Sequence, residues 1–438
     1  MKSENEDFEG LTRRKFLYSS GMGIAGMTLI GVPGIVHGDE PKVEPPQMKT
    51  GMFEYFRGNF VWNLGVMIAI DLGGAMGEIE EACRPLREAS KRNDDAAQRE
   101  WCASWRKVAE RIEALANAHE KAGQYLSAGR KCIRAGIYYL VAERMLPHRD
   151  PWKEVVYQQG LAAFKKGYPL RREPVEYVEV PFEGRSMPAL FVKAPVKGPA
   201  PCMVHFDGFD FLKEFIYHMT TADEFYRRGV SLLIVDHPGT GEALRLRKMY
   251  ARYDTEVPAA ACVDYLEKRP DVDPNRIGMM AVSLGGYYAP RAAAFEKRFK
   301  CCVAWGGFWD FGTTVSRRLA APGGASSVPD FVDQLKWVFG KNTLDEAVSV
   351  TKKMTLEGVA DKITCPLLIL HGENDRLVPL SQAQKLFGAA VNSPNKKLKV
   401  FTLAEGGSEH CQVDNNALAL DYMADWVAEV LGGDPKGV

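Results

Sequence analysis

Apolar positions change their period near residue 170, and the change divides the chain into a helical part and a β-rich part. From Met52 to about Tyr168 they recur at three- and four-residue steps. Trp101, Trp105, Val108, Ile112 and Leu115 fall along one side of a helix, with charges between them. Tyr125–Leu146 predicts a second helix, stopped by Pro147, and Val155–Phe164 a third, ending near Gly167 and Pro169. Aromatic residues on these helices belong in the core, because an amphipathic helix buries its apolar stripe. Phe53, Phe56, Phe60 and Trp62 stand apart: Gly58, Gly65, Gly73 and Gly74 interrupt their segment, which makes it a candidate pocket wall.

From Glu173 short β-rich runs alternate with helices. Val175–Val180 and Met187–Lys193 read as a strand pair. Cys202–Phe206, Val230–Val235, Ile277–Val282, Cys301–Trp305, Leu367–Leu370 and Leu398–Leu403 are apolar without alternation. Strands buried on both faces of a parallel sheet read this way. Helices such as Thr221–Arg228 and Pro258–Glu267 fall between them. An antiparallel opening followed by a wound parallel sheet predicts an α/β-hydrolase fold, a mostly parallel sheet flanked by helices. The segment from Phe308 to about Lys362 is too long for a simple crossover and reads as a lid insertion. The expected organisation is a signal over 1–38, a Pro- and Gly-rich linker over 39–51, a helical N-terminal cap over 52–170 and a catalytic domain over 171–433.

Thr12-Arg13-Arg14-Lys15-Phe16-Leu17 resembles the twin-arginine export motif, and a Gly-rich, moderately apolar run continues to Val32. That run is too short for a spanning helix of ~20 residues. Val36 and Gly38 are small enough to flank a cleavage site after Gly38, although retention as an anchor stays open. The expected partner is the twin-arginine translocase during export, and the expected destination the periplasm or beyond. Gly21-Met22-Gly23-Ile24-Ala25-Gly26 matches G-x-G-x-x-G, but no strand precedes it, so dinucleotide binding is rejected. Lys plus Arg and Asp plus Glu number 56 each, with no basic stripe, which argues against a nucleic-acid partner. The nine cysteines form no C-x-x-C pair and the eight histidines no H-E-x-x-H, so neither a metal nor another cofactor is implied. A homodimer is compatible with all of this.

The chemistry gathers at Arg276-Ile277-Gly278-Met279-Met280-Ala281-Val282-Ser283-Leu284-Gly285-Gly286. A strand-like run ends in Ser283, and an Ala-rich helix follows. This is a nucleophile elbow, whose sharp turn demands small flanking residues; Ala281 and Gly285 supply them as A-x-S-x-G. A serine hydroxyl needs a base, and in this fold the order is Ser, acid, His, each after a strand. Asp375 follows Leu367–Leu370 in His371-Gly372-Glu373-Asn374-Asp375, and His410 follows Leu398–Leu403 on a Gly-rich loop. Asp375 would hold the tautomer of His410 and stabilise its imidazolium. An oxyanion hole needs two backbone N–H groups: Leu284 for one, and Phe209, with Asp210 second, for the other. The glycines of Asp236-His237-Pro238-Gly239-Thr240-Gly241-Glu242 fit a tight turn better than a phosphate site.

The motifs G-F-D-F-L-K-E-F (208–215), D-H-P-G-T-G-E (236–242), A-V-S-L-G-G-Y-Y-A (281–289), W-G-G-F-W-D (305–310), H-G-E-N-D (371–375) and E-H-C (409–411) give the chain a family resemblance. It resembles the α/β-hydrolase branch that includes 2,6-dihydroxypseudooxynicotine hydrolase, fungal polyketide-shortening hydrolases and esterases related to the fermentation–respiration switch protein. The likeness spans roughly Met52 to Leu431. It implies a serine hydrolase acting on a small-molecule ketone or ester, with cleavage of a carbon–carbon bond beside a ketone in the nicotine-pathway member. It also implies that Asp210 positions substrate or water, at a place where the pattern has a glutamate, one methylene longer. The alternative is an aspartate that bonds its own loop. The competing readings are an exported carboxylesterase or peptidase-like hydrolase, and a catalytically inactive binding protein on the same fold.

Overall fold

The computed structural model describes residues 50–321 and 325–438. The expected twin-arginine signal over 1–38 and nearly all of the expected linker lie outside the described residues. Five helices come first: α1 (Phe60–Asp71), α2 (Met76–Cys83), α3 (Asp95–Lys121), α4 (Tyr125–Arg144) and α5 (Pro151–Arg171). Asp94 caps α3 by accepting the Ala97 N–H at 2.7 Å, and Trp101, Trp105, Val108 and Ile112 are buried as their spacing predicts. Leu115, on the same expected stripe, is exposed. α5 starts on Pro151 behind the cap Asp150 and runs past its expected end. Gly167 does not stop it because that glycine is a contact residue: a Cβ there would lie 2.9 Å from the Ile133 side chain of α4. Pro169 sits in the last turn, where helix is about to end at Arg172 in the left-handed conformation (φ 61°).

Eight strands form one sheet in the order β1-β2-β4-β3-β5-β6-β7-β8. β1 (Glu176–Phe182) and β2 (Arg185–Val192) are antiparallel, and β2 is antiparallel to β4 (Ser231–Val235). β3 (Ala200–Phe206), β5 (Val272–Val282), β6 (Cys302–Trp305), β7 (Leu367–Gly372) and β8 (Lys396–Phe401) continue it in parallel. β3, β4, β6 and β7 are buried throughout, and β5 from Ile277 onward, but β8 is an edge, and Lys397 is exposed there. The crossovers carry α6 (Lys213–Ile216), α7 (Ala222–Arg227), α8 (Gly241–Arg245), α9 (Glu256–Leu266) and α10 (Gly285–Phe295). α11 (Phe311–Ala320), α12 (Phe331–Val338) and α13 (Leu344–Thr351) occupy the expected insertion between β6 and β7; α14 (Leu380–Ala389) and α15 (Asn416–Leu431) complete the chain. This is the α/β-hydrolase fold.

Each sheet face carries its own apolar core. The N-terminal helices share one continuous core with Leu190, Met203, Ile234 and Trp305 of one face. The insertion packs Phe311, Val315, Leu335 and Val338 into the other. The aromatic segment expected to line a pocket divides. Phe56 and Trp62 are buried, their rings 5.2 Å apart, and Trp62 lies 5.0 Å from Trp101. Phe53 is exposed, while Phe60 and one side of Trp62 border a cleft between the N-terminal helices and the insertion. Among the described residues no helix is long and apolar enough to cross a membrane.

Candidate active site

β5 is zipped between β3 and β6, so its C-terminal end is fixed on both sides. The chain then turns at Ser283, which has φ 62°, a conformation that costs a non-glycine residue about 1–2 kcal/mol. The Ser283 N–H donates to Trp305 O at 2.8 Å and pins the turn. A Cβ at Gly285 would lie 2.5 Å from that of Ala281, so the need for small flanking residues is met by close packing.

Asp375 stands just past β7. Its Oδ1 accepts the N–H groups of Leu377 and Val378, each at 2.8 Å, which leaves Oδ2 directed at His410 Nδ1, 2.7 Å away. His410 Nε2 lies 2.8 Å from Ser283 Oγ. The three predicted residues, 127 positions apart at the extremes, thus form one unbroken hydrogen-bonded line. Burial alone would push Asp375 up, but the His410 and His371 rings and the Val378 N–H outweigh it and hold the carboxyl below its usual range. Burial likewise works against charge on His410, yet Asp375 and the neighbouring Cys411 hold the imidazole well above its ordinary value.

The His410 loop is braced from several sides that its sequence does not announce. Asp414 accepts the N–H groups of Ser408 at 2.9 Å and Glu409 at 3.0 Å. Arg376 pairs with Glu409 at 3.0 Å. Trp305 of the W-G-G-F stretch donates its indole N–H to Gln412 Oε1 at 2.8 Å, so that motif supports the histidine loop. Cys411 Sγ lies 3.5 Å from His410 Nε2, and Cys411 and Gln412 both have left-handed backbone (φ 50° and 54°). The E-H-C motif was the one available signal for the thiol.

The loop after β3 approaches the elbow because Gly208 has no side chain: a Cβ there would sit 2.8 Å from Ser283 Cβ. The N–H groups of Leu284 and Phe209 donate to no described residue. Phe209, Ser283, Leu284 and His410 line one small pocket of about 10 Å³, with Arg318 of α11 on its wall. Asp210 is brought close but does something else: its Oδ2 accepts from Arg144 Nη2 of α4 at 2.5 Å, and Arg144 Nη1 donates to its carbonyl oxygen at 3.0 Å. Neither a free carboxylate nor one bonded to its own loop is found. The Asp236–Glu242 loop is a tight turn, as expected. Asp236 accepts the N–H groups of Lys213 at 3.0 Å and Glu242 at 2.7 Å, and a Cβ at Gly241 would meet its carboxyl carbon at 2.0 Å. Lys213, buried completely, pairs with Asp236 at 2.8 Å and Glu214 at 2.9 Å. Lys213 of the 208–215 motif therefore ties the β3 and β4 loops together, with Glu214 beside it.

A mostly parallel sheet with a serine at its elbow, and an acid and a histidine presented after later strands, defines the class: an α/β-hydrolase enzyme. The profile of the prolyl oligopeptidase family matches residues 224–434. The chain is 29% identical over 347 residues to 2,6-dihydropseudooxynicotine hydrolase of Paenarthrobacter nicotinovorans, covering 77% of this chain and 86% of that protein. It is 30% identical over 377 residues to hydrolase LUC6 of a Fusarium species, covering 77% of this chain and 89% of the relative. The crystal structure of 2,6-dihydroxy-pseudo-oxynicotine hydrolase superposes with a TM-score of 0.68 at 26% identity, over 83% of this chain and 95% of that one. The chain belongs to this α/β-hydrolase family.

Proposed function

We propose that the protein is a serine hydrolase that uses Ser283, His410 and Asp375 on a small ketone or ester, and that it hydrolyses a carbon–carbon bond beside a carbonyl. The Oγ–Nε2–Nδ1–Oδ2 line, with separations of 2.8 and 2.7 Å, is the observation that carries this reading. His410 Nε2 takes the hydroxyl proton as Ser283 Oγ attacks the carbonyl carbon. The N–H groups of Leu284 and Phe209 receive the oxyanion that develops. Collapse of the tetrahedral intermediate breaks the C–C bond; the electron pair leaves as an enolate, which the imidazolium protonates. Water, deprotonated by His410, then attacks the acyl-enzyme and releases a carboxylic acid and free Ser283. An enolate is a tolerable leaving group only if a second ketone accepts its charge, so the substrate class is a β-diketone or its vinylogous equivalent.

A carboxylesterase or peptidase-like hydrolase would use the same steps with an alkoxide or amine leaving, and the prolyl oligopeptidase match supports that second reading. Retention of all three residues in one line weighs against an inactive binding protein. Export by the twin-arginine translocase to the periplasm or beyond is proposed from Arg13-Arg14 and the run behind them. The deciding experiment is intact-protein mass after a fluorophosphonate, on the wild type and Ser283→Ala, beside turnover of an aryl β-diketone and of p-nitrophenyl acetate. Labelling that persists in Ser283→Ala overturns the nucleophile. Brisk ester turnover with no diketone cleavage leaves the carboxylesterase reading.

A further inference from the structure

Among the described residues the most deeply buried cations all have carboxylates against them. Arg144 meets Asp210 at 2.5 Å, Lys153 and Arg245 meet Glu143 at 2.9 and 2.8 Å, and Lys213 meets Asp236 at 2.8 Å. Arg318 breaks the pattern. It is partly buried on the wall of the catalytic pocket, and among the described residues its side chain makes neither an ion pair nor a hydrogen bond. Its Nε is buried without a partner. The guanidinium lies over the Phe331 ring, 4.9 Å from the centroid, so its face is covered while its N–H edge is left to donate. Burial, with the charge of Arg317 beside it, pulls its pKa down to about 10, against the opposing pull of the Asp210 and Asp375 carboxylates, neither of which bonds to it. It stays protonated at neutral pH.

Arg318 also faces the other way. It lines both the catalytic pocket and the cleft of about 1140 Å³ between the N-terminal helices and the insertion. The pocket at Ser283 has room for one small group, about 10 Å³, so most of any substrate would lie in the cleft. Of the other cations on the cleft walls, Lys91, Arg92 and Arg376 pair with Glu88, Glu100 and Glu409, and Arg57 and Arg317 join Arg318 in making no ion pair among the described residues. Such a wall concentrates anions by its field. Taking Ser283 and His410 as the reacting pair, we infer that the substrate bears a carboxylate, which enters through this cleft and is held by the unpaired guanidinium of Arg318 while its carbonyl reaches Ser283. A guanidinium fork fits a carboxylate through two parallel hydrogen bonds, which fixes orientation as well as supplying attraction.

The test compares mono-p-nitrophenyl glutarate with p-nitrophenyl valerate, which is similar in length and uncharged. The wild type favours the glutarate ester. Arg318→Met lowers the charged-to-neutral ratio of kcat/KM by on the order of 10²-fold, chiefly through KM, and Arg318→Lys restores part of it. Free glutarate slows fluorophosphonate labelling of the wild type and raises its melting temperature, and does neither in Arg318→Met. A ratio unchanged by Arg318→Met, or wild-type labelling indifferent to glutarate, overturns the inference. Should Arg318→Met misfold, Arg318→Lys and the wild-type protection still decide. If no labelling occurs at all, the serine reading fails separately, and the glutarate melting shift, present in the wild type and absent in Arg318→Met, decides the anion site alone.

Discussion

Asp210→Asn separates the two jobs open to this carboxylate. In the structure it is half of an ion pair with Arg144, with side-chain exposures of 12% and 5% and a closest approach of 2.5 Å. At a charge separation of ~4 Å and an effective dielectric constant of ~20, the attraction is about 4 kcal/mol. Asn keeps an acceptor but loses the charge, and Arg144 retains only carbonyl partners, Asp210 O and Ser327 O. Breaking a buried pair from one side costs about 3–5 kcal/mol, and the surviving acceptor places this substitution near the lower end. Phe209, the proposed second oxyanion donor, precedes Asp210 directly, so release of the loop should lower kcat on an aryl β-diketone and on p-nitrophenyl acetate together. Urea unfolding of Asp210→Asn, Arg144→Met and the double variant, with both substrates assayed, is the measurement. The expected result is a coupling energy of at least about 2 kcal/mol and parallel kinetic losses. Destabilisation below about 1 kcal/mol, with diketone cleavage collapsing alone, would refute the anchoring argument and return Asp210 to the substrate.

The neutral form of His410 is the proposed base, and its folded pKa is raised, so kcat/KM should still be climbing with pH above the ordinary histidine value of about 6.5. The same shift contributes stability that is full below about pH 6.5 and is lost as pH rises through the folded value; a kcat/KM profile already flat at pH 6.5 would contradict the assignment. Asp71 is pushed up to about 7 by burial first and by Asp414 second, so ionising it costs stability as pH rises from about 4 to 7. Asp71→Asn should therefore gain roughly 2–4 kcal/mol at pH 8, a gain that vanishes near pH 4, measured by denaturation at both values. Replacing Arg13 and Arg14 with Lys should strand folded precursor in the cytoplasm, and unchanged periplasmic yield in cell fractionation would refute the twin-arginine route.

The strands and the order of Ser283, Asp375 and His410 were legible in the sequence because each rests on a local rule. A strand buried on both faces must be continuously apolar, an elbow needs Ala281 and Gly285 beside its serine, and a parallel sheet presents its strand ends on one side. The candidacy of Leu284 follows from the same logic, since it is next to Ser283. What only the tertiary structure decided joins residues whose separation in the chain carries no pattern. Arg144 finds Asp210 66 positions away, and Trp305 finds Gln412 107 positions away, because helices and loops pack by shape and charge after the sheet has formed. Phe56 and Phe60 are the same residue type four positions apart, yet one is core and the other cleft, since the turn ahead of α1 sends them to different sides. Gly167 and Gly208 look like breaks in the chain until a neighbouring helix or the elbow is seen to need the space their missing side chains leave. Arg318 falls without distinction inside the stretch that reads as an insertion, and its lack of an ion pair beside Ser283 depends on which carboxylates the fold has already given to other partners.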